Sequence, residues 1–342
     1  MQLLNTLYVT LPDAFLRLDN DTLRVEVERE SRLQVPLHHL TSVVCLGNVG
    51  FTTPLAHRLA EAGIALVLLD ANGRFKARLE GPVAGNILLR QAQHAKAADP
   101  AFALATARAC VAGKIKNVRQ VLLRGARESK QADEAAQLAR GADDLAAALR
   151  GLPQAATLDE VRGVEGDAAR RYFERLPLLV RPDAREDFRM DGRTRRPPRD
   201  RFNALLSFLY SMWMNDCRSA CEAAGLDPQL GFLHAVRPGR AALALDLMEE
   251  FRAQADRLAL TLINRGQLSA GDFVQREGGA VLLDGDARKS VVVAYQERKK
   301  DELAHPLLAQ PLPLGLVPLV QARLLARAIR GDTEGYLPFV PR

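Results

Sequence analysis

Short stretches in which hydrophobic and polar positions alternate cover most of the first 80 residues of the chain. The segments AFLRLDN, TLRVEVE and RLQVPLHHL show the two-residue period of half-buried strands, and Asp-Asn-Asp at 19–21 is a plausible hairpin turn. A short helical pattern, PLAHRLAEAG, begins at Pro54 and should end near Gly63, where a C-terminal cap is expected. The pattern predicts a small β-rich domain with one helix over residues 1–85.

The hydrophobic period changes to that of helices between Asn86 and Gly151. Five basic residues give this region a basic edge: Lys114, Lys116, Arg119, Arg124 and Arg127. Because a solvated helix face commonly carries such charges, we interpret the edge as solvated rather than as a phosphate-binding surface.

A strongly apolar helix is predicted over residues 202–225 and should belong to the core. Its polar exceptions, Asn203 and Tyr210, could orient ligands, but a buried amide and phenol with satisfied hydrogen bonds is the preferred interpretation. Further on, Gly278-Gly279 indicates a hairpin, and a short strand and a charged helix follow it.

Length and composition limit the class of protein. A chain of 342 residues exceeds what one core usually holds, so two domains are expected. No apolar run reaches the ~18 residues of a membrane helix and no signal-peptide pattern is seen, so we expect a cytoplasmic protein. The four scattered cysteines lack a second pair of metal ligands, which argues against a structural zinc site. A net charge of +6, largely from arginine, modestly favours a nucleic-acid partner.

The stretch GFLHAVRPG, followed by RAALALDLMEEFR, carries the densest candidate chemistry. It places His234 on a loop and Asp246, Glu249 and Glu250 on a predicted buried helix, where spacings of three and four residues bring carboxylates to one face. Ionised carboxylates beside apolar residues need a cation, so a metal site is one interpretation. A capped loop with a core histidine and a solvated acidic edge is the other, and the spacing alone does not decide between them.

A further acidic residue, Glu165, lies between Gly163 and Gly166 in a helical pattern. Each glycine inside a helix lowers helix stability by roughly 1 kcal/mol relative to alanine, so a structural or functional reason for these glycines is expected. One interpretation is that the glycines let another backbone or a substrate strand approach the carboxylate closely. The alternative is that Gly163 ends one helix and Asp167 begins the next.

The clearest loop, residues 185–201, contains seven arginines and four acidic residues around a Pro-Pro pair. We expect it to be exposed, mobile and attractive to phosphate groups.

Four segments in order, GNVGFTTPLAHRLAEAGIALVLLD, GVEGDAARRYF, RRPPRDRFNALLSFLY and GFLHAVRPGRAALALDLMEEFR, resemble the CRISPR-associated spacer integrase and endonuclease family, Cas-one. The chain is most similar to the form found with subtype I-C, and the resemblance covers nearly all of it. It implies an α+β protein with a β-rich dimerisation domain over 1–85 and a larger all-α catalytic domain over 86–342. It also implies a homodimer that acts on double-stranded DNA together with the small Cas-two protein.

The resemblance also assigns roles to single residues. The family's metal-binding and catalytic positions fall on Glu165, His234 and Glu249, with Asp246 as a supporting acid. Glu250 leaves an ambiguity of one residue, although a register one residue later would turn the ligand about 100° away and so favours Glu249.

Two carboxylates and an imidazole suit Mn²⁺ or Mg²⁺, and the histidine favours Mn²⁺. The expected reaction is attack of a DNA 3′-hydroxyl, or of water, on a phosphodiester. Contacts to the DNA backbone are expected from four arginines: Arg195, Arg196, Arg199 and Arg240. Two rival functions remain open at this point, a structure-specific nuclease in DNA repair and a non-catalytic DNA-binding scaffold.

Overall fold

The computed structural model describes residues 6–70, 75–79, 81, 87–308 and 311–341. The chain divides into two compact units. The first comprises the described residues of 1–84 together with Leu283–Lys300, and the second comprises those of 85–282 and 301–342. The predicted boundary at residues 85–86 lies outside the described residues.

The first unit is built mainly from strands, as the alternating pattern predicts. Its strands are β1 Thr6–Val9, β2 Phe15–Asp19, β3 Thr22–Val27, β4 Glu30–Pro36, β5 Ser42–Leu46, β6 Gly50–Phe51, β7 Ala65–Leu69 and β8 Phe75–Leu79. Helix α1 (Thr53–Glu61) lies between β6 and β7 in the chain, and Gly63 follows it with φ +68°. The predicted end of this helix is therefore confirmed.

The described strands of the first unit form two four-stranded sheets, ordered β4-β3-β2-β6 and β1-β5-β7-β8. In the first sheet, Asp19 of β2 pairs with Thr22 of β3, and Asn20 takes the left-handed φ of +52° that asparagine tolerates. Alternation along this hairpin points Leu16 and Leu23 into the core, where both are fully buried. The predicted hairpin is confirmed.

The second unit is mostly helical. Its first helices are α2 Ile87–Ala98, α3 Pro100–Glu128, α4 Ala132–Gly151, α5 Leu158–Arg175, α6 Arg201–Ala223, α7 Ala242–Met248 and α8 Arg252–Asn264. The expectation of an all-α domain needs a correction, because two short strand pairs occur: β9 Phe273–Gln275 with β10 Val281–Leu283, and β11 Glu302–Ala304 with β12 Pro311–Pro313. Helix α10 (Val317–Arg330) is the last helix in the described part of the chain.

One helix groups differently from the sequence-based division. Helix α9 (Gly285–Lys300) clusters with the β-rich unit, whereas the predicted C-terminal domain included all of 86–342. The difference arises because a helical pattern indicates which face is apolar but not which surface covers that face.

The core of the second unit fixes the turn between α7 and α8. As predicted, α6 is buried along much of its length, and its Trp213 ring stacks on Phe251 with centroids 5.0 Å apart. Phe251 in turn stacks on Phe339 near the C-terminus, at 5.7 Å. These rings hold the short 3₁₀ helix Glu249–Phe251, which interrupts the continuous helix predicted for the segment RAALALDLMEEFR.

Among the helices that the structure describes, none combines the length and the apolar composition that crossing a membrane requires.

Candidate metal centre

Helix α5 carries Glu165 on one continuous helix. The Thr157 hydroxyl caps its N-terminus by accepting a hydrogen bond from the Glu160 N–H, 3.2 Å away. Gly163 and Gly166 lie within the helix, so the alternative in which Gly163 ends one helix is wrong. Beyond the helix's own backbone and the flanking residues, no heavy atom of the described residues lies within 4 Å of where a Cβ would stand on either glycine, so packing within the described part of the chain does not require them.

Asp246 organises the loop that precedes α7. It is 1% exposed, and its carboxylate accepts hydrogen bonds from the backbone N–H groups of Phe232, Leu233 and His234 at 2.6–3.0 Å. Gly231 permits this approach, because a Cβ there would lie 2.7 Å from an Asp246 oxygen. The supporting acid predicted from the sequence is thus the anchor of the histidine loop.

Asp246 also orients the imidazole of His234. Its Oδ1 lies 2.7 Å from Nδ1 of His234. Because a carboxylate only accepts hydrogen bonds, this contact places a proton on Nδ1, and the neutral form of the ring then has its lone pair on Nε2. Nε2 of His234 lies 3.9 Å from Oε1 of Glu249, so the ring places a candidate metal ligand beside the Glu249 carboxylate.

Glu249 is 2% exposed and lies among cations. Arg252 donates two hydrogen bonds to its carboxylate, at 2.8 and 2.7 Å, and Nζ of Lys114 lies 2.7 Å from its Oε2. Burial alone would raise the pKa of Glu249, but the charges of Arg252 and Lys114 outweigh it and hold that pKa well below its usual value. Glu249 is therefore ionised at neutral pH.

Lys114 joins Glu249 to Glu165. Its ammonium group, on α3, also contacts Oε1 of Glu165, so two carboxylates from separate helical segments share one cation. Within the described residues, no three His, Cys, Asp or Glu side chains converge closely enough to hold an ion as they stand. The donor set nevertheless has the chemistry of a divalent-metal site, and a cation already lies between its two carboxylates.

Glu250 faces away from this centre. It accepts hydrogen bonds from the Tyr336 hydroxyl, from the Phe339 N–H at 2.6 Å and from the Gln321 amide at 2.9 Å. Burial raises the pKa of Glu250 to about 8, against the effect of these donors. The structure thus brings Glu249, and not Glu250, together with Glu165 and His234.

The two polar residues of α6 differ in their surroundings. Asn203 is fully buried, donates to the Gly192 carbonyl at 2.9 Å and accepts from Arg193 at 2.6 Å, so it fixes the preceding segment. Tyr210 donates a hydrogen bond to Asp256 at 2.5 Å, and the Arg252 guanidinium lies 4.8 Å from its ring centroid. Both have the satisfied hydrogen bonds that the preferred interpretation expected.

The arginine-rich residues 185–201 include both anchored and exposed side chains. Arg193 packs 5.3 Å from the Tyr210 ring centroid, whereas Arg195, Arg196 and Arg199 are exposed. Arg240 is half-buried. Burial and the nearby guanidinium groups, first that of Arg237 and then those of Arg196 and Arg162, lower its pKa. Several arginines therefore lie close together near the histidine loop.

Sequence reasoning missed three residues that complete the centre. Lys114 was assigned to a solvated face, but it is 6% exposed, so that interpretation is wrong. Arg252 and Asp256 are not among the site residues predicted from the sequence. The spacing of Arg252, three residues after Glu249, was the available signal, because residues three apart on helical turns are neighbours. Neither Lys114 nor Asp256 has a comparable signal in the sequence.

The fold and the centre together define a class of protein. It is an α+β protein whose helical unit holds carboxylates, an imidazole and their cationic partners. Comparison with known proteins specifies the family. The family model described as CRISPR associated protein Cas1 matches residues 7–297, and this chain belongs to that family. The comparisons do not distinguish subtypes, so the I-C assignment stays a prediction.

Individual relatives agree with this assignment. A protein of Moorella thermoacetica named CRISPR-associated endonuclease Cas1 1 is 55% identical over 99% of both chains. A chain of a solved Cas6-RT-Cas1 and Cas2 complex is 26% identical, with a TM-score of 0.84 over 98% of this chain and 36% of that one. This chain thus spans about a third of that larger chain. A casposase bound to an integration product, 21% identical over 98% of this chain and 92% of that chain, shares the fold with a TM-score of 0.83.

Proposed function

We propose that this protein is a metal-dependent DNA integrase and endonuclease that inserts short DNA fragments into a CRISPR array as part of antiviral defence. Family membership and the 55% identical relative named an endonuclease support the class of activity. The observation that carries the proposal is the convergence of Glu165 and Glu249 on one cation, beside the lone pair of His234. Groups of partly buried charges with strongly shifted pKa values cluster at functional sites, which favours an enzyme over a non-catalytic scaffold.

Glu165, His234 and Glu249 would hold the ion, with Mn²⁺ favoured over Mg²⁺ because one donor is a nitrogen. When bound, the ion would act as a Lewis acid: it would lower the pKa of the attacking hydroxyl and neutralise negative charge that develops on the phosphate oxygens. The protein's own side chains prepare this site. Asp246 holds Nδ1 of His234 and so orients Nε2 toward Glu249, and Arg252 keeps Glu249 ionised and fixed.

The reaction needs no side-chain nucleophile. The 3′-hydroxyl of the incoming fragment gives its proton to solvent and forms the new bond to phosphorus, while the bond to the bridging 3′-oxygen of the repeat breaks in line with it, and that oxygen leaves as a hydroxyl after taking a proton from solvent. Water replaces the hydroxyl in hydrolysis. Arg195, Arg196, Arg199 and Arg240 would contact the DNA backbone, which adds affinity without reading sequence.

The proposed partners follow from the same assignment. We propose double-stranded fragments and the repeat array as the substrates, and the cytoplasm, where such DNA lies, as the location. The 26% identical chain occurs in a complex with Cas2, which supports a complex with a small Cas2-type protein here. We also propose a homodimer formed through the β-rich unit, where β4 is an edge strand with most of its residues exposed.

The proposal is tested by strand transfer with purified protein, its Cas2-type partner, a short duplex and a repeat-containing plasmid. Glu165→Gln, His234→Ala and Glu249→Gln should each reduce integration by about 100-fold or more, because each removes a ligand. Circular dichroism should show that the variants fold, and DNA affinity should change little. The matched control is Glu174→Gln, an exposed carboxylate further along α5.

Wild-type rates of integration by Glu165→Gln in the presence of Mn²⁺ would overturn the metal assignment. Cutting of branched DNA without any partner or repeat sequence would instead identify a structure-specific nuclease. Salt-dependent DNA binding with neither cleavage nor strand transfer would identify a scaffold.

A further inference from the structure

Lys114 is buried at the centre of the proposed site, on the long helix α3. It is 6% exposed, and its neighbours Gly113 and Ile115 are buried as well. Its ammonium contacts Glu165 and lies 2.7 Å from Oε2 of Glu249. Lysine is almost never this deeply buried unless it is paired, so the pairing with these two carboxylates accounts for its position.

The charges of the centre make Lys114 and a divalent ion alternatives to each other. Lys114 contacts both Glu165 and Glu249, so an ion bound by these two carboxylates would lie where the ammonium group lies. Two cations that close together repel each other strongly in a buried site, so the ion and the ammonium group exclude each other there.

The two cations of the centre are held differently. Arg252 binds Glu249 through two donors of a rigid fork and lies 4.8 Å from the Tyr210 ring centroid. Lys114 contacts each carboxylate with a single compact ammonium group on a flexible four-carbon stem. The lysine is therefore the more readily displaced of the two cations, whereas the arginine is fixed from two sides.

We propose that Lys114 is the resident counter-cation of the metal-free centre, which holds Glu165 and Glu249 together until a divalent ion takes its position between them. The inference rests on the proposed function, because it requires the same three residues to be the metal ligands. If Lys114 has this role, removing its charge should lower the stability of the metal-free protein and raise its affinity for the divalent ion.

The experiment compares Lys114→Met, which removes the charge but keeps much of the length, with the wild type. Calorimetric titration with Mn²⁺ should show about tenfold tighter binding by the variant, because no resident cation has to be displaced. Thermal unfolding in EDTA should show a Tm lower by about 3–6 °C, because two buried carboxylates lose their shared cation. Saturating Mn²⁺ should remove most of this difference.

Three further variants sharpen the comparison. Lys116→Met removes the same charge from an exposed position two residues along α3 and should change neither quantity. Lys114→Arg should bind Mn²⁺ more weakly than the wild type, because a guanidinium holds carboxylates with more donors. If Lys114→Met does not fold, Lys114→Gln replaces it, with the same expected order of affinities.

Equal or weaker Mn²⁺ binding by the uncharged variants would overturn this role of Lys114, even if the wild type binds Mn²⁺ and integrates DNA normally. A wild type that neither binds Mn²⁺ nor integrates DNA would overturn the proposed function, and this inference with it. The two failures are therefore distinguishable.

Discussion

At the scale of single residues, the cluster shows why a carboxylate pattern alone was ambiguous. Asp246 and Glu249 are three residues apart, yet Asp246 caps the histidine loop while Glu249 joins the cations. The spacing of the acids predicted which of them lie near His234. No local pattern places Lys114 between Glu165 and Glu249, because its contact with Glu165 spans 51 residues of chain and its contact with Glu249 joins a further helical segment.

Asp256 gives a prediction for the dependence of stability on pH. It is fully buried between the hydroxyls of Tyr210 and Tyr172, 2.5 and 2.9 Å away. Burial raises its pKa from 3.8 to about 6, although both hydroxyls oppose the shift. Between about pH 4 and pH 6 the folded protein therefore keeps a proton that the unfolded chain has released, so the free energy of unfolding falls as the pH rises.

The expected loss over this interval is about 3 kcal/mol from this group. Urea unfolding at pH 4.5 and 6.5 should show a smaller fall for Asp256→Asn than for the wild type. The exposed Asp133→Asn serves as the control and should follow the wild type. An identical fall in all three proteins would show that Asp256 is not the group responsible.

At the scale of secondary structure, the strongest sequence patterns were also the most accurate. The hairpin turn at 19–21, the end of α1 near Gly63 and the buried α6 follow from local turn and cap chemistry or from a long apolar period. The helix predicted through Glu249 and Phe251 was interrupted instead. Stacking of Phe251 between Trp213 and Phe339 fixes the 3₁₀ turn, and such distant contacts leave no local pattern.

Helix α5 provides a prediction in which stability and function change in opposite directions. Gly163 and Gly166 are exposed within a continuous helix, and a Cβ on either would meet open space. Each change to alanine should therefore stabilise the protein by about 1 kcal/mol. If a DNA strand passes over this face to reach Glu165, the same changes should weaken DNA binding and integration.

Denaturant unfolding and fluorescence anisotropy with labelled duplex measure the two quantities. Gly151→Ala is the matched control, since it is also a helical glycine with open space around its Cβ position. The Gly151→Ala variant should gain stability without losing DNA affinity. Unchanged affinity and integration in Gly163→Ala and Gly166→Ala would exclude a close DNA contact at this face.

At the scale of the whole molecule, the α+β class was predictable because the hydrophobic period changes from two residues to that of helices along the chain. The assembly of the first unit from two separate stretches of chain was not predictable. Helix α9 belongs to it although about 200 residues of the second unit intervene, and amphipathicity does not identify a packing partner. The net charge of +6 likewise favours a nucleic-acid partner without locating the surface that binds it.

The central claim is that Glu165, His234 and Glu249 bind one divalent ion. Anomalous diffraction from crystals grown with Mn²⁺ tests it most directly. We predict one strong peak about 2.0–2.3 Å from a carboxylate oxygen of each glutamate and from Nε2 of the histidine. A centre without a peak at saturating Mn²⁺, with the ion bound elsewhere or not at all, would contradict the claim.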